Sequence, residues 1–270
     1  MSDQDKPNDG RLVPAGCREL APVAAANPLV ARGLADLAHR HSLIVDEKSQ
    51  SLMAQGLLFF IEGMIDEAIH QFNEALRLKP DHSPGHFLRA QAWLRKYKTS
   101  PDTQYCNNAI GDFSEAIRIE PDYTSAYEQR GIAWYLKEDY DNAIKDFDEA
   151  IRLLSESEAD KRNDEKEEDS FEATRLSSMA EIYYARAEAW ASKGDDDNAI
   201  KDYADAIRLD PTNATYFYSR GASWLGKQEY DKAIEDFSAA IWLDPKYAKA
   251  YSWRGLAWEG KSDYDKAIQD

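Results

Sequence analysis

Cysteine is nearly missing: the 270 residues hold only Cys17 and Cys106. Two thiols so far apart build neither a disulfide framework nor a zinc site, and they fit a reducing compartment. Long apolar runs are missing too, since none approaches the ~18 residues a membrane span needs. The stretch "LVPAGC" (Leu12–Cys17) has a faint likeness to a lipoprotein cleavage site. Pro14 interrupts it, and the polar "MSDQDKPNDGR" before it cannot serve as the apolar part of a signal peptide. An unsecreted, cytoplasmic protein is expected. Positive charge is also scarce: 33 Lys and Arg stand against 50 Asp and Glu, a formal net charge of −17. Such a surface repels phosphate backbones and anionic lipid, so no nucleic acid and no membrane is expected as a partner. Nucleophile elbows, phosphate loops and metal clusters are absent, so no catalytic residue, cofactor or metal is expected. His39 and His41 are two apart, which puts them on different faces of a helix, and His82 and His86 read as junction residues.

What the chain has in abundance is repetition. "RGASWLGKQEYDKAIEDFSAAIWLDP" (Arg220–Pro245) is preceded by "RGIAWYLKEDYDNAIKDFDEAIRL" from Arg130 and followed by "RGLAWEGKSDYDKAIQD" (Arg254–Asp270). Trp190, Trp224 and Trp258 are spaced by 34 residues, as are Ala199, Ala233 and Ala267. A fixed period of this size marks a stacked repeat architecture. Within each unit the apolar spacing is helical twice over. In one unit helix A carries Phe217, Gly221, Trp224 and Leu225, and helix B carries Ala233, Ile234, Phe237, Ala240 and Ile241. The polar "GKQEYD" between them is turn-like. Asp231 opens helix B, where an acid caps free amides and meets the positive end of the dipole; Asp66, Asp141, Asp197 and Asp265 hold the same place. Pro80, Pro121, Pro211 and Pro245 follow helix B and stop it. Gly56, Gly131, Gly221 and Gly255 sit mid-helix, where Gly costs roughly 1 kcal/mol against Ala. Close approach of a neighbouring helix is the expected reason. The Trp series (Trp93, Trp134, Trp190, Trp224, Trp258) is expected to fill the larger core gaps.

These residues carry a resemblance. The order aromatic, Arg-Gly, aromatic, Tyr-Asp-x-Ala-Ile, Phe, Ala-Ile, Asp-Pro is similar to that of the tetratricopeptide repeat, over residues 49 to 270. The resemblance implies an all-α, right-handed superhelical solenoid of antiparallel helix hairpins, with the A helices lining a concave groove. It also implies protein–protein interaction rather than chemistry. The units fall at 49–82, 83–123, 124–157, 180–213 and 214–247, with a partial sixth at 248–270. An acidic insertion occupies 156–179, a capping helix and linker 28–48, and a disordered tail 1–27. The cap is expected from "NPLVARGLADLAHRHSL", whose Val30, Leu34, Leu37 and Ala38 share one face; lying in the groove is the alternative. "RKYKTSPDTQYC" (Arg95–Cys106) holds seven residues more than the other turns and reads as a tolerated surface loop or a specificity loop. The insertion's "SESEADKRNDEKEEDSFE" reads as a disordered acidic loop between extended helix ends, either a solvated spacer or a lure for a basic partner.

One pairing is visible inside the repeats. Arg89, Arg130, Arg186, Arg220 and Arg254 precede the Gly/Ala position, and Asp112, Asp146, Asp202, Asp236 and Asp270 precede the helix B aromatic or the place where it would fall. The first unit has Gln55 and Gln71 instead. Each Arg is expected to reach the Asp of its own hairpin through charge-assisted bonds.

The expected groove positions are Met53, Leu57 and Phe60; Phe87, Leu88, Gln91 and Arg95; Glu128, Gln129, Ile132 and Tyr135; Glu181, Tyr184 and Glu188; Tyr218, Ser219 and Ala222; Lys249, Trp253 and Leu256. They suit an extended or helical peptide with apolar anchors and a basic residue. The basic clamp of chaperone-binding repeats is not there: its places hold Met53, Leu57, Leu88, Ser125 and Gln129. The expected function is a scaffold or adaptor holding a partner's peptide or helix in the groove. The alternative is a self-associating module, working through the unfinished last hairpin, or the regulatory arm of a longer protein whose C-terminal part is missing.

Overall fold

The computed structural model describes residues 28–161 and 168–270, with side chains at 44–156 and 174–270. The expected tail at 1–27, the side chains of the cap's apolar face, His39, His41, and the centre of the acidic insertion lie outside the described residues. The chain divides into two compact units, Met1–His82 and Ser83–Asp270. Among the described residues every regular element is an α-helix.

The first unit holds α1 (Pro28–Glu62) and α2 (Ile65–Leu78), packed as a hairpin. The expected cap and the first repeat's helix A form one helix, without a break near residue 48. No Gly or Pro stands between Leu43 and Gln55, so nothing there stops the helix. Its upstream part is fastened to the end of α2: Ser49 Oγ donates to the Ala75 carbonyl at 3.2 Å, and Lys79 pairs with Asp46 at 2.9 Å. Ala68, Ile69, Phe72, Ala75 and Leu76 form the buried face of α2.

The second unit stacks five hairpins. They are α3 (Ser83–Thr99) with α4 (Thr103–Ile119), α5 (Thr124–Leu136) with α6 (Tyr140–Lys161), α7 (Glu168–Ser192) with α8 (Asp196–Leu209), α9 (Ala214–Gly226) with α10 (Tyr230–Leu243), and α11 (Ala248–Gly260) with α12 (Tyr264–Gln269). Each helix packs on the next in sequence. The core rings are Phe113, Phe147, Tyr203 and Phe237, all on B helices and almost fully buried. The glycines explain themselves here. A Cβ on Gly131 would lie 2.8 Å from Phe147, and one on Gly221 would lie 2.9 Å from Phe237. In the first unit, a Cβ on Gly56 would lie 2.6 Å from Phe72. The ring occupies the space of the missing methyl group, which offsets the helix-propensity cost.

Three expectations need correction. The tryptophans do not fill the deep core but bridge it to the surface: Trp134, Trp190, Trp224 and Trp258 are half-buried, and lysines lie over their outer faces. The long turn after Trp93 is not a loop. α3 and α4 have 17 residues each, against 13 in α5 and 14 in α8, so the seven extra residues extend two helices. The turn between them, Ser100 to Asp102, is as short as Lys137 to Asp139. Helix cost is low for "RKYKT", which has neither Gly nor Pro. At the acidic insertion α6 runs on to Lys161 and α7 starts at Glu168, as extended helix ends.

The third correction concerns capping. The caps lie two residues before the predicted aspartates. Asp195 accepts from the Asn198 amide at 3.1 Å, Asp139 from Asn142 at 3.3 Å, and Asp263 from Lys266 at 3.4 Å. The predicted aspartates sit in the first turn and reach the lysine of the next hairpin instead. Asp141 pairs with Lys193 at 2.5 Å, Asp197 with Lys227 at 2.6 Å, and Asp231 with Lys261. This ladder ties neighbouring hairpins together on the turn side.

Candidate functional site

The expected arginine–aspartate pairs all form. Arg89 holds Asp112 through two bonds of 2.8 and 2.5 Å, and Arg130 holds Asp146 through two of 2.7 Å. Arg186 grips Asp202 through two bonds of 2.7 Å, Arg220 grips Asp236 at 2.8 and 2.7 Å, and Arg254 grips Asp270 in the same fork. In the first unit Gln55 is exposed and makes no bond to Gln71. The guanidinium also reaches backwards. Arg130 Nη1 donates to Ser114 Oγ at 3.0 Å, Arg186 Nη1 to Asp148 at 2.5 Å, and Arg254 Nη1 to Ser238 Oγ at 3.0 Å. At the position equivalent to Ser114 and Ser238 stands Ala204, which offers Arg220 no side-chain acceptor for that link. One residue type thus closes its own hairpin and fastens it to the one before. These arginines are structural and are withdrawn from ligand binding.

Burial acts on the paired aspartates unevenly. Burial pushes Asp236 and Asp202 above the usual carboxylate range despite their arginines. Burial opposes ionisation at Asp112 too, but hydrogen bonds from Arg89 and His86 outweigh it and hold the carboxyl below that range.

The A helices lie side by side: α3 touches α5, α5 touches α7, α7 touches α9, and α9 touches α11. Their shared face is the candidate binding floor of the second unit. α7 sets its centre, because Glu181, Tyr184 and Glu188 recur at helical spacing on one side. The Tyr184 ring packs between Tyr203, at 5.9 Å, and Tyr216, at 5.1 Å. Tyr203 donates from its hydroxyl to Glu188 at 2.5 Å. On the neighbouring helices Tyr218 packs on Tyr247 at 5.1 Å and edge-on to Trp253 at 6.0 Å. Burial, followed by the charge of Glu188, pushes the Tyr184 phenol up to about 12 and raises Tyr203 further. Burial and the charge of Glu181 raise Glu128 above its ordinary value, with only the Gln129 amide opposing them. The floor is therefore aromatic and negative.

The predicted groove residues do not share one environment. Leu88, Gln91, Glu128, Gln129, Tyr184, Glu188, Tyr218 and Ala222 are half-buried, and Arg95, Glu181, Lys249, Trp253 and Leu256 are exposed. Ser219 is buried. Phe87 is spent on packing, edge-on to Phe113 at 5.6 Å and stacked with Tyr123 at 5.0 Å. Ile132 and Tyr135 pack against the α6 core. In the first unit Met53 is buried, Leu57 exposed and Phe60 half-buried. Sequence reasoning missed Tyr203, Tyr216 and Tyr247, which come from a B helix, a helix start and an inter-helix turn. It also missed the lysine ladder, although Asp197 to Lys227 and Asp231 to Lys261 repeat one spacing of 30 residues.

Comparison with known proteins comes to the same architecture. Models described as tetratricopeptide repeat match residues 49–82 and 106–158, and one described as TPR repeat matches 187–228 and 225–262. Together they cover more than half of the chain. No curated protein matches it in sequence. Among solved structures, MamA is similar with a TM-score of 0.60 at 22% identity, covering 76% of this chain and 96% of its own. PilF of Pseudomonas aeruginosa gives 0.60 at 14% identity, covering 83% and 89%. YrrB, titled a TPR protein with an unusual peptide-binding site, gives 0.53 at 17% identity, covering 73% and 87%. At such identities the likeness speaks for the fold. Among the described residues no helix is long and apolar enough to cross a membrane, and no cluster of potential metal ligands occurs.

Proposed function

The chain belongs to the tetratricopeptide repeat family, and from that premise we propose that it is a cytoplasmic scaffold or adaptor that holds a peptide or helix of a partner protein on the face shared by its A helices. The repeat fold is that of a protein-interaction module. The observation that supports this use of the face is the Tyr218, Tyr247 and Trp253 cluster beside exposed Leu256. Its rings are packed against one another yet retain open surface, as an anchor site for apolar side chains requires. Catalysis has no support: the buried His86 serves Asp112, Cys106 is buried with its thiol pushed up by that burial, and the arginines are engaged in pairs. The test is selection of a random peptide library on the immobilised full chain. Selected peptides are expected to bind the native protein and to lose affinity for a Trp253→Ser, Leu256→Ser variant. Equal binding to both would place the interaction elsewhere.

A second reading, self-association, rests on Trp242. At its position the other repeats carry Arg77, Arg118, Arg152 and Arg208, each paired with an acid three residues earlier. Here the pair is replaced by Ala239 and Trp242, and the indole is 80% exposed. Light scattering tests it: a monomer at high concentration, unchanged by Trp242→Arg, rules the reading out.

A further inference from the structure

The front of the first hairpin carries a surface that the second unit buries at its junctions. On α5 the residues turned towards the hairpin before are Ala126 and Ala133, both fully buried against α4, and Ala257 of α11 is buried against α10 in the same way. α1 has Ser51 and Leu58 at those two places, and both are exposed, Leu58 by 59%. The opposite side of α1, at Ser49, Met53 and Gly56, is the one spent on α2. Ile44, Glu47, Ser51, Ala54, Leu58 and Ile61 recur at alternating steps of three and four, the spacing of a seam between two paired helices. Each of them is exposed, Ile44 by 64% and Ile61 by 67%. Another hairpin of the same kind does not fit here. The place of Leu58 is held by Ala133, Ala189, Ser223 and Ala257 in the second unit, and a leucine there would overfill the joint.

We propose that this seam pairs with the same seam of a second copy, the two α1 helices running antiparallel in a two-fold dimer. The stripe is self-complementary. Small Ser51 and Ala54 stand at its middle, and large apolar side chains stand at both ends. An antiparallel pair sets small against small, so the axes approach closely, and it places each Ile44 against the Leu58 and Ile61 of the other copy. A parallel pair would set Glu47 against Glu47 and keep Ile44 away from Leu58. The chain's net charge of −17 does not oppose the contact locally, because the one acid of the stripe, Glu47, is followed by Lys48. The inference goes beyond the groove reading and puts self-association in a different unit from Trp242.

Sedimentation of the full chain is the test. A dimer is expected, and Leu58→Glu or Ile61→Glu is expected to weaken it about ten-fold or more by placing a charge in the seam. Both side chains are exposed in the single chain, so its fold is spared, with circular dichroism as the control. Ile44→Lys and Ile61→Glu together test the direction. Each variant alone is expected to dimerise poorly. A mixture of the two is expected to restore the dimer, because one antiparallel contact then joins opposite charges and the other stays native. A chain that remains monomeric at about 100 μM overturns the inference. So does a dimer indifferent to Leu58→Glu and Ile61→Glu, or one lost only with Trp242→Arg. A mixture that restores nothing overturns the antiparallel pairing.

Discussion

Breaking the Arg220–Asp236 fork is the sharpest test of how these hairpins hold together. Arg220→Met keeps the stem but removes two bonds of 2.8 and 2.7 Å from a carboxylate whose side chain is 7% exposed. An unpaired buried charge of this kind costs about 3–5 kcal/mol. Asp236→Asn keeps the shape and one acceptor, and should cost about 2 kcal/mol. The double variant has no buried charge left, so its cost falls short of the sum by about 2 kcal/mol, within the range for residues in contact. Arg220 suits the cycle because it lacks the backward bond of its counterparts and touches Phe217 only through the ring face, at 5.8 Å. The assay is urea unfolding of all four proteins, fitted with repeat and interface terms as a solenoid requires. The pH dependence gives a second check. Burial raises Asp236 in the folded state, so the folded chain takes up that proton more readily than the unfolded one, and acidification favours folding at this site. Without Arg220 the effect grows, so Arg220→Met regains stability as pH falls from neutral towards the ordinary carboxylate range. A coupling below about 0.5 kcal/mol, the usual error of additivity, would show the fork to be surface decoration and refute the reasoning.

Three further outcomes are expected. Gly131→Ala brings a Cβ to 2.8 Å from Phe147 and should destabilise by about 1–3 kcal/mol, whereas Gly111→Ala on α4 meets nothing within 4 Å and should stabilise by up to about 1 kcal/mol; melting curves of the two separate packing from propensity. Gln228 sits at φ 63° in the α9–α10 turn, where Gly194 holds φ 85° in the α7–α8 turn, so Gln228→Gly should stabilise and Gly194→Ala destabilise, each by about 1 kcal/mol in chemical denaturation. Glu128→Gln should stabilise the chain at neutral pH. Because folded Glu128 binds its proton more readily than the unfolded carboxyl, the native protein catches up as pH falls, and denaturation midpoints of the pair should converge below about pH 4.

Much of the fold was legible because repetition multiplies a weak signal. One helical hairpin predicted from apolar spacing is an estimate, but the same spacing over successive units is a pattern. The Arg–Asp fork could be read because it recurs in five units, at a separation of 16 residues in four of them, and lies within one hairpin, where helix geometry constrains which side chains meet. The caps were misplaced because "EDYD" and "GDDD" offer more than one acid near a helix start, and only the backbone path decides which side chain faces the free amides. The seven residues after Trp93 were read as a loop because an insertion breaks the repeat, although nothing in their composition opposes a helix.

The sequence by itself determined the hairpin, its glycine seats, its forks and its negative surface, since each depends on residues close along the chain or repeated at one period. Only the tertiary structure decided which side chains of the A helices remain available. Phe87 and Trp253 hold groove positions alike, yet one is consumed by Phe113 and Tyr123 while the other stays exposed beside Tyr218. That difference arises between helices distant in sequence, where packing and not periodicity sets which ring is covered.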